Sequence, residues 1–246
     1  NTDIDAMVEW LKTYPQLTKG PKTIEFEKKW SDWLGCKYSV FVNSGSSANL
    51  LMIYCLKVLG KLKNKKICVP SLCWATDLAP VIQFDLTPIL VDCNLENLSV
   101  DLKHLEQLFI DEQPSALLLV SVLGLSPDMD KIVELCNKHD VILLEDNCES
   151  QGTEYKSKQL DMRTKWDVNE FDSLYTFYTP GFNVRGTDIQ AFLGINQLDK
   201  VDGMIKKRSI NFEYFKAKLK TKIWFPNDLP DTYTSNFAIP VITESP

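Results

Sequence analysis

The sequence predicts an α/β fold built on a largely parallel sheet, and three observations carry that prediction. Short apolar segments alternate with amphipathic segments of about a dozen residues, the pattern of strand–helix–strand units whose sheet lies between helices. Two of the apolar segments, SALLLVSVLG (115–124) and VILLED (141–146), are near-continuous apolar runs, as strands covered on both faces require. Polar clusters follow three of the predicted strands directly: NSGSS (43–47), SLCWAT (71–76) and EDNCES (145–150). Open α/β sheets gather their ligands at such strand ends.

The elements follow in order. In TIEFEKKWSDWLG (23–35), Ile24, Phe26, Trp30 and Leu34 fall at helical spacing and Gly35 is a C-cap. KYSVFV (37–42) reads as a short strand, and NSGSSANLLMIYCLKVL (43–59) as an apolar helix that opens on capping residues. KICVP (66–70) is a strand, WATDLAPVIQFD (74–85) a helix interrupted near Pro80, and TPILVDC (87–93) a strand. Ser99 or Asp101 caps a helix over 102–110, and PDMDKIVELCNKH (127–139) is an amphipathic helix between the two fully apolar strands.

Composition bounds the function. The 246 residues are 44% hydrophobic and 24% charged, enough apolar side chain for one large domain, or one domain and part of another. A formal net charge of -6 builds no basic face, which argues against nucleic acid and anionic membrane as partners. No apolar run reaches the ~18 residues of a membrane span, and NTDIDAMVEWLKTYPQ lacks a signal-peptide pattern. The seven cysteines (Cys36, Cys55, Cys68, Cys73, Cys93, Cys136 and Cys148) are odd in number and never in CxxC spacing. They read as reduced core thiols of a cytosolic protein, and with only His104 and His139 beside them no metal site is expected. Glycine is scarce, at 10 residues, for a fold whose loops need positive φ.

Three constellations carry chemistry. Asn43–Asn49 is a small-residue turn opening a helix; exposed N–H groups, a positive dipole end and hydroxyls suit an anionic phosphate, although a capped helix start needs no ligand. It lacks the GxxxxGK[ST] of a Walker loop. Glu145 and Asp146 end an apolar strand, where a carboxylate needs a partner to offset desolvation. A protonated pyridine nitrogen is one such partner; a metal ion or a helix cap are the others. Trp74, at another strand end, either stacks on a flat ligand or belongs to the core.

Together these clusters resemble the DegT/StrS-type family of pyridoxal-phosphate (PLP) sugar aminotransferases. The similarity runs in family order through TIEFEKKWSDWLG, VNSGSSANL, VPSLCWATDLAPVIQFDLTPILVD, LLEDNCESQGTEYKSK and PGFNVRGTDIQAFLGINQLDKVD, roughly residues 20 to 208. The resemblance implies a PLP-transferase fold of type I. A large domain with a mainly parallel central sheet would span 1–205, and the beginning of a small C-terminal α+β domain, truncated, would span 206–246. It implies that Ser46 and Ser47 bind the cofactor phosphate with Gly45 giving the close turn, that Trp74 stacks on the pyridine ring, and that Asp146 pairs with the ring nitrogen. Glu149 stands where the family commonly has Gln, near the ring's phenolic oxygen. Asn183 would reach the phosphate of a neighbouring subunit's cofactor, which implies a homodimer with shared active sites, and Arg185 and Asp188 would brace that loop.

One departure bears on mechanism. The family carries its Schiff-base Lys on a loop after the aspartate strand, followed by a Gly-rich turn, yet here QGTEYKSKQL runs straight into DMRTKWDVNEF. Lys156, Lys158 and Lys165 have neither the context nor the distance. The sequence is therefore expected to pass over a stretch near Leu160–Asp161, with a break in the chain there; the rival explanation is a true deletion. The leading expectation is amination of a nucleotide-linked keto sugar with glutamate as amino donor. The second is removal of a sugar hydroxyl by the dehydrase branch, which replaces the Lys by His and whose wording VNSGSSANL resembles. The third is a non-catalytic partner subunit.

Overall fold

The computed structural model describes residues 2–156, 158–159, 182–219, 225 and 229–238. In chain order the elements are α1 (Thr2–Leu11), α2 (Pro21–Leu34), α3 (Gly45–Val58), β1 (Lys66–Pro70), α4 (Ala75–Gln83), β2 (Thr87–Val91), α5 (Leu102–Glu112), β3 (Ala116–Val120), α6 (Met129–Lys138), β4 (Ile142–Asp146), β5 (Glu154–Tyr155), β6 (Lys158–Gln159), α7 (Asp188–Leu198), α8 (Val201–Lys218) and β7 (Thr232–Tyr233). They fall into two units, residues 1–48 with 161–200 and residues 49–160 with 201–246. The expected chain break at Leu160–Asp161 lies outside the described residues.

In the first unit, α2 starts on Pro21, whose missing N–H is harmless at that position, and stops at Gly35 in the left-handed region (φ 78°). α2 packs on α7: a Cβ at Gly194 would stand 2.8 Å from the Phe26 ring, so the approach requires glycine there. Trp10 of α1 stacks on Phe192 of α7 at 4.9 Å. Asp188, fully buried, joins the two helices' beginnings. Its carboxylate accepts from Gly20 N (2.8 Å), Lys22 N (3.0 Å) and Thr23 Oγ1 (2.6 Å), while it opens α7 itself. A negative charge there complements both helix dipoles.

The second unit holds a four-stranded sheet in the order β2-β1-β3-β4, every pair parallel. β3 is buried along its whole length, as its unbroken apolar sequence requires. Leu105 and Phe109 of α5 and Ile132 and Cys136 of α6 pack against Cys68, Leu117 and Leu119 to form the core. Asp101 caps α5 by accepting from His104 N (2.8 Å), and Asp128 caps α6. A short antiparallel sheet, β6-β5-β7, completes the unit. α8 crosses position 205 without interruption.

Three expectations need correction. KYSVFV forms no strand: only Val42 makes a bridge, to Arg185. Phe41 N–H donates instead to Glu27 Oε1 of α2 (2.8 Å), the Phe41 ring packs edge-on against Phe26, and Val40 is 78% exposed. A β-like pattern without a neighbouring ladder stays irregular. Pro80 does not interrupt α4, which runs through it to Gln83; the missing N–H forfeits a single helical bond. The cysteines are not uniformly core residues either, since Cys68 and Cys136 are buried but Cys55 and Cys148 are exposed. No helix among the described residues is long and apolar enough to cross a membrane.

Candidate active site

Asp146 ends β4, level with Val120 of β3. The apolar strand delivers its carboxylate to the edge of the sheet, where two donors meet it. Asn49 Nδ2 donates to Asp146 Oδ2 (2.7 Å), and Cys148 N–H donates to Oδ1 (2.8 Å). Burial pushes this carboxyl upward, but the hydrogen bonds from Asn49 and the Cys148 backbone outweigh it and hold Asp146 below the usual carboxylate range. It therefore stays ionised.

The same amide nitrogen of Asn49 donates to Asp77 Oδ1 (2.8 Å), and Trp74 N–H donates to Asp77 Oδ2 (2.9 Å). Asp77 is fully buried, and burial, followed by the neighbouring Asp146, pushes its carboxyl up to about 7. Below about pH 7 one carboxyl is thus neutral and the other charged across a single bridging amide, the arrangement by which neighbouring acids take different roles. Trp74, at the N-cap of α4, is 70% exposed; it is no core tryptophan, and its indole face is free to meet a flat ligand.

The sequence gives Asp77 no role, and Asn49 only a place at the end of the Asn43–Asn49 turn. Asp77, three residues after Trp74, reads locally as an ordinary N-terminal helix acid. Asn49 did carry a signal, because it lies on the buried stripe of α3 with Ile53 and Leu56, where an amide needs a partner.

Glu149 lies in the same unit and braces backbone: its Oε2 accepts from Leu123 N–H (2.6 Å). Leu123 adopts φ 56° in the tight turn after β3. Thr153 Oγ1 adds a bond to Gly124 O (2.7 Å), so the turn following β3 is fastened to the segment following β4.

The predicted phosphate loop belongs to the first unit. Ser44 caps α3 by accepting from Ser47 N (3.2 Å), and Ser47 Oγ donates to Asn43 Oδ1 (2.6 Å). Ser44, Gly45 and Ser46 are exposed at the positive end of the helix. Within this unit Asn43 N–H donates to Val184 O (2.8 Å), which sets the 183–185 segment beside the serine turn. Asn183 is exposed and accepts from Arg185 Nε (3.2 Å). Asp188, expected to brace the Asn183 loop, instead fastens the start of α2. Lys156 is ion-paired with Asp130, so its ammonium is committed elsewhere. Lys165 lies outside the described residues, as does the side chain of Lys158.

The donor set fits PLP in the second unit, where an anionic Asp146 and an exposed tryptophan face are the groups that a pyridinium ring requires. Comparison with known proteins points the same way. The model of the DegT/DnrJ/EryC1/StrS aminotransferase family matches residues 1–168 and 161–244. The GDP-4-keto-6-deoxy-D-mannose 3-dehydratase of Yersinia pseudotuberculosis is 30% identical over 254 residues, covering 81% of this chain and 64% of that protein. The GDP-perosamine synthase of Caulobacter vibrioides is 27% identical, covering 87% and 66%. Among solved structures, E. coli GDP-4-keto-6-deoxy-D-mannose-3-dehydratase with bound hydrated PLP matches with a TM-score of 0.84 at 27% identity, covering 99% of this chain and 77% of that one. The chain spans just under two thirds of the length of these curated relatives. By fold, by motif order and by the family match along nearly its whole length, the chain belongs to the DegT/DnrJ/EryC1/StrS aminotransferase family of PLP-dependent, sugar-modifying enzymes, with the type I PLP-transferase fold.

Proposed function

We propose that this chain is the cofactor-binding part of a PLP-dependent enzyme that acts on a nucleotide-linked 4-keto sugar and removes its 3-hydroxyl. The observation that carries the cofactor assignment is Asp146, ionised at the end of β4 and held by Asn49 and the Cys148 backbone. The choice of dehydration is supported by the 30% identity to the Yersinia 3-dehydratase. Net aminotransfer with glutamate is the second reading, favoured by the perosamine synthase relative and by the description of the family as aminotransferases.

Bound PLP supplies an electron sink. The chain's own residues do the rest. Asp146 would pair with the ring nitrogen and keep it protonated, Trp74 would stack on the ring, and Gly45, Ser46 and Ser47 at the start of α3 would hold the phosphate. Glu149 would lie near the ring's phenolic oxygen. Asn183 takes the phosphate of a second copy's cofactor, so the working form is a homodimer with shared sites. We place the large cofactor domain at residues 1–205 and the beginning of a smaller C-terminal domain at 206–246, although α8 runs unbroken through that boundary.

The residue that distinguishes the two reactions, Lys or His, belongs to a loop that we place near 160–161. Two findings support a stretch present in relatives and absent from this sequence. The match to the Yersinia enzyme extends over 254 residues while drawing on 81% of a 246-residue chain. The family model matches in two segments that overlap at 161–168.

The test is to incubate the whole protein with PLP, glutamate and a GDP-linked 4-keto-6-deoxy sugar and to identify the product by mass spectrometry. A keto sugar that has lost its 3-hydroxyl supports dehydration, an amino sugar selects the second reading, and failure to bind PLP overturns both.

A further inference from the structure

We propose that Asp77 is a positioning residue for the cofactor's nitrogen partner: Asp77 and Asp146, bridged by Asn49, share one proton, and the pair rather than Asp146 alone sets how firmly the pyridine nitrogen holds its proton. The proposal rests on the reading of this site as a PLP site.

The geometry carries it. A carboxamide nitrogen has two hydrogens, and both of Asn49's are spent on carboxylates, one on Asp77 Oδ1 (2.8 Å) and one on Asp146 Oδ2 (2.7 Å). Asn49 is 2% exposed and Asp77 0%, so water does not screen the two acids from one another. Two carboxyls held this way do not ionise independently. Burial decides where the proton rests. Each acid has one backbone donor besides Asn49, Cys148 N–H for Asp146 and Trp74 N–H for Asp77, but Asp77 is fully buried and Asp146 only half-buried, so Asp77 keeps the proton and Asp146 the charge.

The titratable groups facing Asp77 are Asp146 from the end of β4, Cys73 from the turn before α4 and Cys148 beyond β4. Burial pushes the two thiols up to about 11 and about 12, so they stay neutral while Asp77 titrates around 7. When Asp77 loses its proton, a second negative charge appears behind Asp146, and the pair's hold on a pyridinium proton rises. An Asn at this position retains the shape and remains neutral at every pH. The Asp77→Asn variant therefore mimics the protonated state permanently.

The experiment has two readouts besides activity. In the apo protein, with aspartate carboxyls labelled with carbon-13, one carboxyl is expected to titrate near neutral pH and to disappear in Asp77→Asn. In the protein loaded with PLP labelled with nitrogen-15 in the ring, the midpoint for loss of the ring-nitrogen proton is expected to fall by about 1 pH unit or more in Asp77→Asn. The proposal is overturned if no wild-type aspartate titrates near neutral pH, or if the ring-nitrogen curves of wild type and variant superimpose. Should Asp77→Asn fail to fold, the wild-type carboxyl titration still decides. If the wild-type protein binds no PLP, the cofactor reading fails by itself, while the apo titration separately reports whether the carboxyls share a proton.

Discussion

Replacing Asn49 by Ala removes one buried amide and leaves two carboxyls face to face. The amide makes two hydrogen bonds, of 2.8 Å to Asp77 and 2.7 Å to Asp146. Bonds to charged acceptors contribute about 1.5–3 kcal/mol each, and the two are not independent, so a loss of roughly 3–5 kcal/mol follows where both acids are ionised. The sign with pH can be worked out group by group. Asp146 is held below its ordinary range, so its stabilisation is present above the unfolded value and is lost as pH falls through the lowered one. Asp77 is raised to about 7, so its contribution is complete below the unfolded value and is lost as pH rises through 7. Without Asn49 both carboxyls lose a donor that favoured ionisation, both rise, and the penalty is largest above pH 7. Urea unfolding of the apo protein at pH 8.5 is expected to show the full loss, and at pH 5, where Asp77 is a neutral acceptor, about 1 kcal/mol less. A loss below about 1 kcal/mol at pH 8.5, or one that does not grow with pH, refutes the bridged-pair account.

Asp188→Ala strips acceptors from three donors at the start of α2 and is expected to lower stability by about 3 kcal/mol or more in denaturant unfolding, with Asp188→Asn substantially milder. Gly124→Ala puts a Cβ 2.4 Å from the Ser235 carbonyl oxygen at φ 85°, and thermal unfolding is expected to register at least about 2 kcal/mol; a neutral result would contradict the close approach of the turn after β3. Asp146→Ala should lower turnover by about 100-fold or more, the scale of losing a preorganised charge. Asn183→Ala should weaken PLP binding, and mixing Asn183→Ala with Asp146→Ala chains should return partial activity, because one of the two sites in a mixed dimer is then intact. A monomer at micromolar concentration, or mixed dimers without activity, would exclude shared sites.

Much of this molecule was legible along the chain, wherever the cause was local. The unbroken ALLLV of β3 announces a strand covered on both faces, Ser99 or Asp101 announces a helix start, of which the structure uses Asp101, and Gly35 announces a helix end, because burial pattern, capping and positive φ act within a few residues. Asp146 and Trp74 could be nominated for the same reason, since polar groups at the ends of apolar strands are conspicuous. What needed a distant partner could not be read this way. KYSVFV has a strand's composition and no ladder to join, so it became an irregular segment packed on α2. The bond by which Glu149 braces the backbone at Leu123 joins the segments after β3 and β4, and no local pattern announces it. Asp77 meets Asn49 and Asp146 from 28 and 69 positions away along the chain, and only the convergence of α3, α4 and β4 places two acids on one amide. The charge of Asp146 depends on that convergence: sequence placed a carboxylate at the strand's end, and tertiary packing, by giving both acids donors but burying Asp77 the more deeply, decided which of them ionises first.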